Sequence, residues 1–147
     1  DTLFIEAFGG SGSIGLEALS RGAKHSYFIE IDNRSYKTLQ NNCQSVDPSS
    51  TTTIYGDTFE KLPNLFSQLK SSKDDIIVYI DPPFDFRDNM EGIYDKTFDL
   101  VRDIENDNIS LITFEYATGL VMPETLGRYK LFKSKKFGKS SLSYYCL

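Results

Sequence analysis

Residues 2–15 read TLFIEAFGGSGSIG. The apolar run Thr2 to Phe8 has the composition of a buried strand and ends in glycines. Gly12 to Arg21 then carries Ile14, Leu16, Ala18 and Leu19 at roughly helical spacing, with Gly22 as a stop. A strand that runs through a glycine-rich turn into a helix opens a β-α-β unit, and the rest of the chain continues that rhythm. His25 to Ile31 is a second strand, and Asp32 or Asn33 caps a helix running to about Gln44. Thr52 to Tyr55 is a third strand. Thr58 to Leu69 is a helix that Pro63 starts or kinks. Asp75 to Ile80 (DIIVYI) is a fourth strand, apolar enough to be buried on both faces. A helix follows around Asp95 to Ile104, and Ile109 to Phe114 is a fifth strand. Tyr129 to Phe137 and Ser141 to Cys146 form an antiparallel pair turning at Gly138-Lys139. The expected fold is α/β: a Rossmann-like mixed sheet with helices on both faces and a C-terminal antiparallel hairpin.

Composition narrows the class. The chain has 147 residues, 39% hydrophobic and 25% charged, as expected of one globular domain, 1–147. Because its first residues already read as a core strand, an N-terminal extension is expected upstream. No apolar run is long enough to span a bilayer. Cys43 and Cys146 form no CxxC pair and His25 is the one histidine, so reduced cytoplasmic thiols are expected and no metal site. A net charge of −5 argues against broad nucleic-acid binding. Yet Arg128, Lys130, Lys133, Lys135, Lys136 and Lys139 fall in a stretch without an acid. That strip reads either as a solvated hairpin face or as an RNA contact.

In doubly wound sheets ligands bind beyond the carboxyl ends of the strands, and four constellations lie there. Gly10-x-Gly12-x-x-Gly15 allows close backbone approach to a ligand beside a helix amino end, although a tight turn without a ligand has the same spacing. Glu30 stands about 20 residues further on, where an acid accepts from adenosine ribose hydroxyls, with Asp32 as a helix cap and Ile31 against adenine. Asp57, before Thr58, reads either as an acceptor for the adenine amine or as a plain N-cap. Asp81-Pro82-Pro83-Phe84 is the most specific. Two prolines stiffen the turn and remove two donors. An aspartate and a proline carbonyl make an acceptor pair for an exocyclic amine, and Phe84 offers a stacking face.

These residues resemble the bacterial small-subunit ribosomal RNA guanine-N2 methyltransferase family (methyltransferase D). The resemblance rests on residues 8–23 (FGGSGSIGLEALSRGA), 28–32 (FIEID), 81–84 (DPPF) and 137–145 (FGKSSLSYY). It implies the seven-stranded class I methyltransferase sheet, S-adenosylmethionine as cofactor, and ribosomal RNA as partner, free or within the small subunit, met by a monomer. It implies that Glu6, Phe8, Gly10, Ser11, Gly12, Glu30, Ile31, Asp57 and Thr58 border the cofactor. Asp81, Pro82, Pro83 and Phe84 would take the target base. Glu6 stands where the family usually has aspartate, and Gly9 where it has alanine. Acids at Asp85, Asp88, Glu91 and Asp95 crowd the segment after the DPPF turn. A DNA adenine or protein glutamine amino methyltransferase shares the DPP logic but usually carries a recognition domain. A dehydrogenase shares the glycines but not DPPF.

Overall fold

A computed structural model describes residues 1–83 and 92–147. Five strands come first: β1 (Thr2–Glu6), β2 (His25–Glu30), β3 (Thr51–Tyr55), β4 (Asp75–Ile80) and β5 (Ile109–Ala117). Between them lie α1 (Ser13–Ser20), α2 (Asn33–Val46), α3 (Thr58–Gln68) and α4 (Ile93–Arg102), and β6 (Thr125–Leu126), β7 (Tyr129–Phe137) and β8 (Ser140–Cys146) close the chain. The sheet order is β3-β2-β1-β4-β5-β8-β7-β6. The first five strands are parallel, and β8 enters antiparallel between β5 and β7. The chain winds outward from β1 to β3 and then returns to β1's other side as β4. The carboxyl ends of β1 and β4 therefore flank the switch point, where a crevice opens.

Sequence and structure differ at identifiable places. An eighth strand, β6, is two residues long, too short for a periodic signal, and pairs with β7 through Thr125–Lys130 and Leu126–Tyr129. Strand β5 runs to Ala117 because β8 pairs with it as far as Ser140. Pro63 neither starts nor ends a helix: Asp57 caps α3, which passes through Pro63. Strand β4 is buried on one face only. Ile76, Val78 and Ile80 are enclosed, whereas Ile77 and Tyr79 are half-exposed. On their side α1 packs on β1 and β2, and α2 on β2 and β3, which leaves β4 outside that cover.

The larger core joins Leu3, Ile5, Ile29, Ile76, Val78 and Ile112 to Leu62, Leu65 and Phe66 of α3 and Phe98 and Val101 of α4. Across the sheet, Phe28 packs with Leu39 and Cys43, one turn apart on α2. Cys43 and Cys146 are unpaired. Among the described residues no helix is long and apolar enough to cross a membrane.

Gly15 sets how closely α1 approaches β2. A Cβ there would overlap the ring of Phe28, and its carbonyl accepts from the Ser26 hydroxyl at 2.8 Å. Gly15→Ala is expected to cost about 1–3 kcal/mol through overpacking, read as a lower urea midpoint, and Phe28→Leu added to it should recover part of the loss. Equal midpoints for wild type and Gly15→Ala would refute this packing.

Candidate active site

The glycine loop is held from two strands. Glu6 ends β1 and is buried; its Oε1 accepts from the Gly15 N–H at 2.7 Å. Helix α1 has Gly12 at its N-cap and no side-chain cap of its own. Glu6 thus supplies from a neighbouring strand the acceptor that Ser, Thr or Asp would supply locally. Glu30 ends β2 and spans outward: Oε1 accepts from Gly10 N–H and Oε2 from Asp32 N–H, both at 2.8 Å. Gly12 sits at φ 83° packed on Leu39, while Gly10, at φ 53°, has open space where a side chain would stand. Gly10 lines the crevice and a neighbouring hollow.

Other predicted residues divide between bracing and lining. Asp32 caps α2 through Ser35 N–H at 2.9 Å, and Asp57 caps α3 through Phe59 N–H at 3.0 Å, so the capping reading holds for both. Asp57 also lines the crevice. Thr58 is buried, and its hydroxyl donates to the Ala7 carbonyl at 2.5 Å, tying α3 to the end of β1. The crevice encloses about 530 Å³ between Phe8, Gly10, Glu30, Ile31, Phe59 and Asp81, with Thr58 and Pro83 also on its wall. Ile31 is 61% exposed at its edge, an apolar surface on the crevice wall. Glu6 and Gly12 lie beneath the crevice rather than on it, and Ser11 borders a shallow neighbouring hollow with Arg34 and Thr38. Phe84 lies outside the described residues.

Asp81 has a second exposure. Beyond it a cavity of about 430 Å³ is lined by Pro82, Tyr94, Glu115, Tyr116, Thr118 and Lys139. Asp81 is the one residue that borders both spaces among the described residues. A slightly larger groove of about 580 Å³ runs between α3 and α4. It does not reach Asp81, Glu6 or the glycine loop, so size alone misplaces the chemistry.

The electrostatics single out the same point. Burial raises Glu6 to about 8, opposed by the Gly15 amide and reinforced by the charge of Asp81. Burial and the nearby Glu115 raise Asp81 to about 7. Burial, with Glu115 accepting its proton, also pushes the Tyr79 phenol upward. Desolvated acids facing one another are the arrangement a cationic ligand relieves.

Sequence reasoning missed Glu115, Tyr94 and Lys96. Glu115 was within reach, since it directly follows the expected fifth strand. Lys96 stands 6.0 Å from the centre of the Phe59 ring at the edge of the crevice.

The basic strip resolves into parts. A register shift between Leu131 and Lys133 leaves Lys130 opposite Cys146, Lys133 opposite Tyr144 and Lys135 opposite Leu142. Those partners alternate along β8, so the three lysines share one face, where Phe132 lies 6.1 Å from Tyr144. Lys136, opposite Ser141, is on the other face. Arg128 is paired with Asp107 at 2.5 Å, and Lys139 borders the cavity beside Asp81.

Residues 1–146 match the family model described as Conserved hypothetical protein 95. Ribosomal RNA small subunit methyltransferase D of Escherichia coli strain K12 is 26% identical over 148 residues, covering 99% of this chain and 68% of that protein. Its counterpart in Buchnera aphidicola is 27% identical over 129 residues, covering 86% and 62%. A conserved hypothetical protein of Streptococcus pyogenes superposes with a TM-score of 0.74 at 19% identity, covering 99% of this chain and 86% of that one. An RNA methyltransferase of Salinibacter ruber, solved with S-adenosyl-L-homocysteine, superposes with a TM-score of 0.60 at 16% identity, covering 99% and 80%. The chain thus has the class I methyltransferase fold and belongs to the Conserved hypothetical protein 95 family.

Proposed function

We propose that this protein transfers a methyl group from S-adenosylmethionine to an exocyclic amino nitrogen of a nucleobase, guanine N2 in small-subunit ribosomal RNA. The observation that carries the reading is the position of Asp81 on the wall between two cavities. A two-substrate transfer needs one space per substrate and a shared boundary at which the reacting atoms meet. The relatives' names supply the substrate class.

The crevice suits S-adenosylmethionine. The open side of Gly10 admits close backbone contact, Glu30 keeps lone pairs for ribose hydroxyls, and Ile31 gives adenine an apolar face. Ser11 and Gly12 shape the loop that meets the amino-acid end, while Phe8, Asp57 and Thr58 border the nucleoside. The raised acids Glu6 and Asp81 favour a ligand carrying a sulfonium cation. When bound, the cofactor supplies an electrophilic methyl.

The chain's own residues then act on the amine. Asp81 and the Pro82 carbonyl each accept one N–H, which turns the nitrogen lone pair toward the crevice. The prolines keep that turn stiff. An amine that gains a methyl group would have to shed one proton, and Asp81, holding one of its N–H groups, is placed to receive it. Phe84 is assigned the stacking role. Lys130, Lys133 and Lys135 form the RNA approach, and Lys139 reaches the phosphate nearest the target base.

The deciding experiment follows labelled methyl transfer into small ribosomal subunits from cells lacking the protein, with naked RNA and DNA alongside. Methylguanine is the expected product, and label only in DNA or protein would replace the substrate. Asp81→Ala should cut turnover at least ~100-fold while S-adenosylmethionine affinity falls by no more than about tenfold, whereas Glu30→Ala should weaken binding of S-adenosylmethionine and S-adenosylhomocysteine alike. Wild-type turnover in Asp81→Ala would refute the acceptor mechanism.

Binding should also depend on pH in a defined direction. A cationic sulfur lowers the raised affinities of Glu6 and Asp81 for protons, so binding releases protons. Affinity for S-adenosylmethionine should rise roughly tenfold from pH 6 to 8.5 and then level. S-adenosylhomocysteine, with neutral sulfur, should show a shallower rise. Calorimetry giving equal pH profiles for the two would remove the acids from cofactor recognition.

A further inference from the structure

The chemistry described above leaves Glu115 unused. It stands on β5 in the position that continues the Ile80–Phe114 pairing, beside Asp81. Burial, the charge of Glu115 and a side-chain hydrogen bond with it raise Asp81, so the two carboxyl groups are neighbours that act on one another. The Tyr79 hydroxyl donates to Glu115 Oε1 at 2.7 Å, which fixes the carboxylate. Both acids line the 430 Å³ cavity, with Tyr94 beside them and Lys139 on the same wall.

Two adjacent acceptors demand two adjacent donors. Of the four RNA bases, guanine alone presents a ring N–H next to an exocyclic amine, at N1 and N2. Adenine and cytosine place a ring acceptor next to the amine, which a carboxylate repels, and uracil has no amine. A site that hydrogen-bonds a ring N–H discriminates strongly against a base lacking it, because the buried acceptor is left unpaired.

We propose that Glu115 selects guanine, accepting the ring N1–H while Asp81 and Pro82 hold the 2-amino group. This rests on the amine-methylation reading and adds to it the residue that chooses the base. Base binding then gives each of the two neighbouring carboxyl groups a donor from guanine. Tyr79 is a positioning residue that orients the carboxylate.

The test loads the full-length protein with S-adenosylhomocysteine and titrates three ribonucleoside monophosphates: guanosine, adenosine and 2-aminopurine. The last keeps the 2-amino group but lacks the N1 hydrogen. Wild type should bind the guanosine nucleotide at least ~10-fold more tightly than the 2-aminopurine one. Glu115→Gln, nearly isosteric and checked by thermal melting, should bring the two within about threefold, because its amide can donate to the unprotonated N1. Asp81→Asn should weaken both nucleotides together. If Glu115→Gln keeps the guanine preference while Asp81→Asn weakens binding, the selector role is wrong and the amine-holding reading stands. If no nucleotide binds, or Asp81→Asn changes nothing, the cavity is not the base pocket, and the amine-holding role of Asp81 fails with it.

Discussion

The carboxyl edge of the sheet depends on one constraint: the glycine loop is pinned by carboxylates from two adjacent strands. Glu6 satisfies the start of α1 from β1, and Glu30 holds Gly10 and Asp32 from β2. The bonds to Gly15 and Gly10 span 9 and 20 residues, so the loop has its shape only when β1 and β2 are already paired. The loop's shape then places the open side of Gly10, the edge of Ile31 and the face of Phe8 around one space. Thr58 adds a third tie from α3 to the carbonyl of Ala7, one residue beyond Glu6. The crevice is therefore a product of sheet formation rather than of loop sequence alone.

That arrangement carries a cost. An acid buried against backbone amides at a helix start is well placed, yet a second acid nearby turns part of that gain into repulsion. Glu6 feels Asp81, and Asp81 feels Glu115. A core that needed only stability would place apolar side chains there. Sites where local rules are broken without compensation inside the protein are where a ligand supplies it.

Much of this was legible from residue patterns, for reasons tied to particular residues. Strands β1, β2 and β4 end in glycine, acid or proline signals, and the parallel order follows from alternation with helices. The DPP turn was legible because the residue types that stiffen a backbone and accept from an amine coincide at a strand end. What stayed hidden depends on pairing. β6 is too short to show a period. The one-sided exposure of β4 depends on which strands α1 and α2 cover. Thr58 lies on the crevice wall, and the tie of its hydroxyl to Ala7, 51 positions away, shows only in the fold. Glu115 follows the expected fifth strand, but only the Ile80–Phe114 pairing sets it beside Asp81.

The register shift in β7 has a consequence for ionic strength. In an uninterrupted strand, Lys130 and Lys133 would point to opposite sides, and the lysines would divide between the two faces. The shift gathers Lys130, Lys133 and Lys135 on one side, with Lys139 at the turn, while Arg128 is already neutralised by Asp107 and Lys136 faces away. A single strand of RNA lying on that face displaces counterions from about four phosphates rather than six. The logarithm of its affinity then falls with the logarithm of salt concentration at a slope of about −3. Under the proposed function, an acidic protein with so few engaged cations would hold RNA weakly away from the matching site, leaving discrimination to the pocket at the end of the sheet.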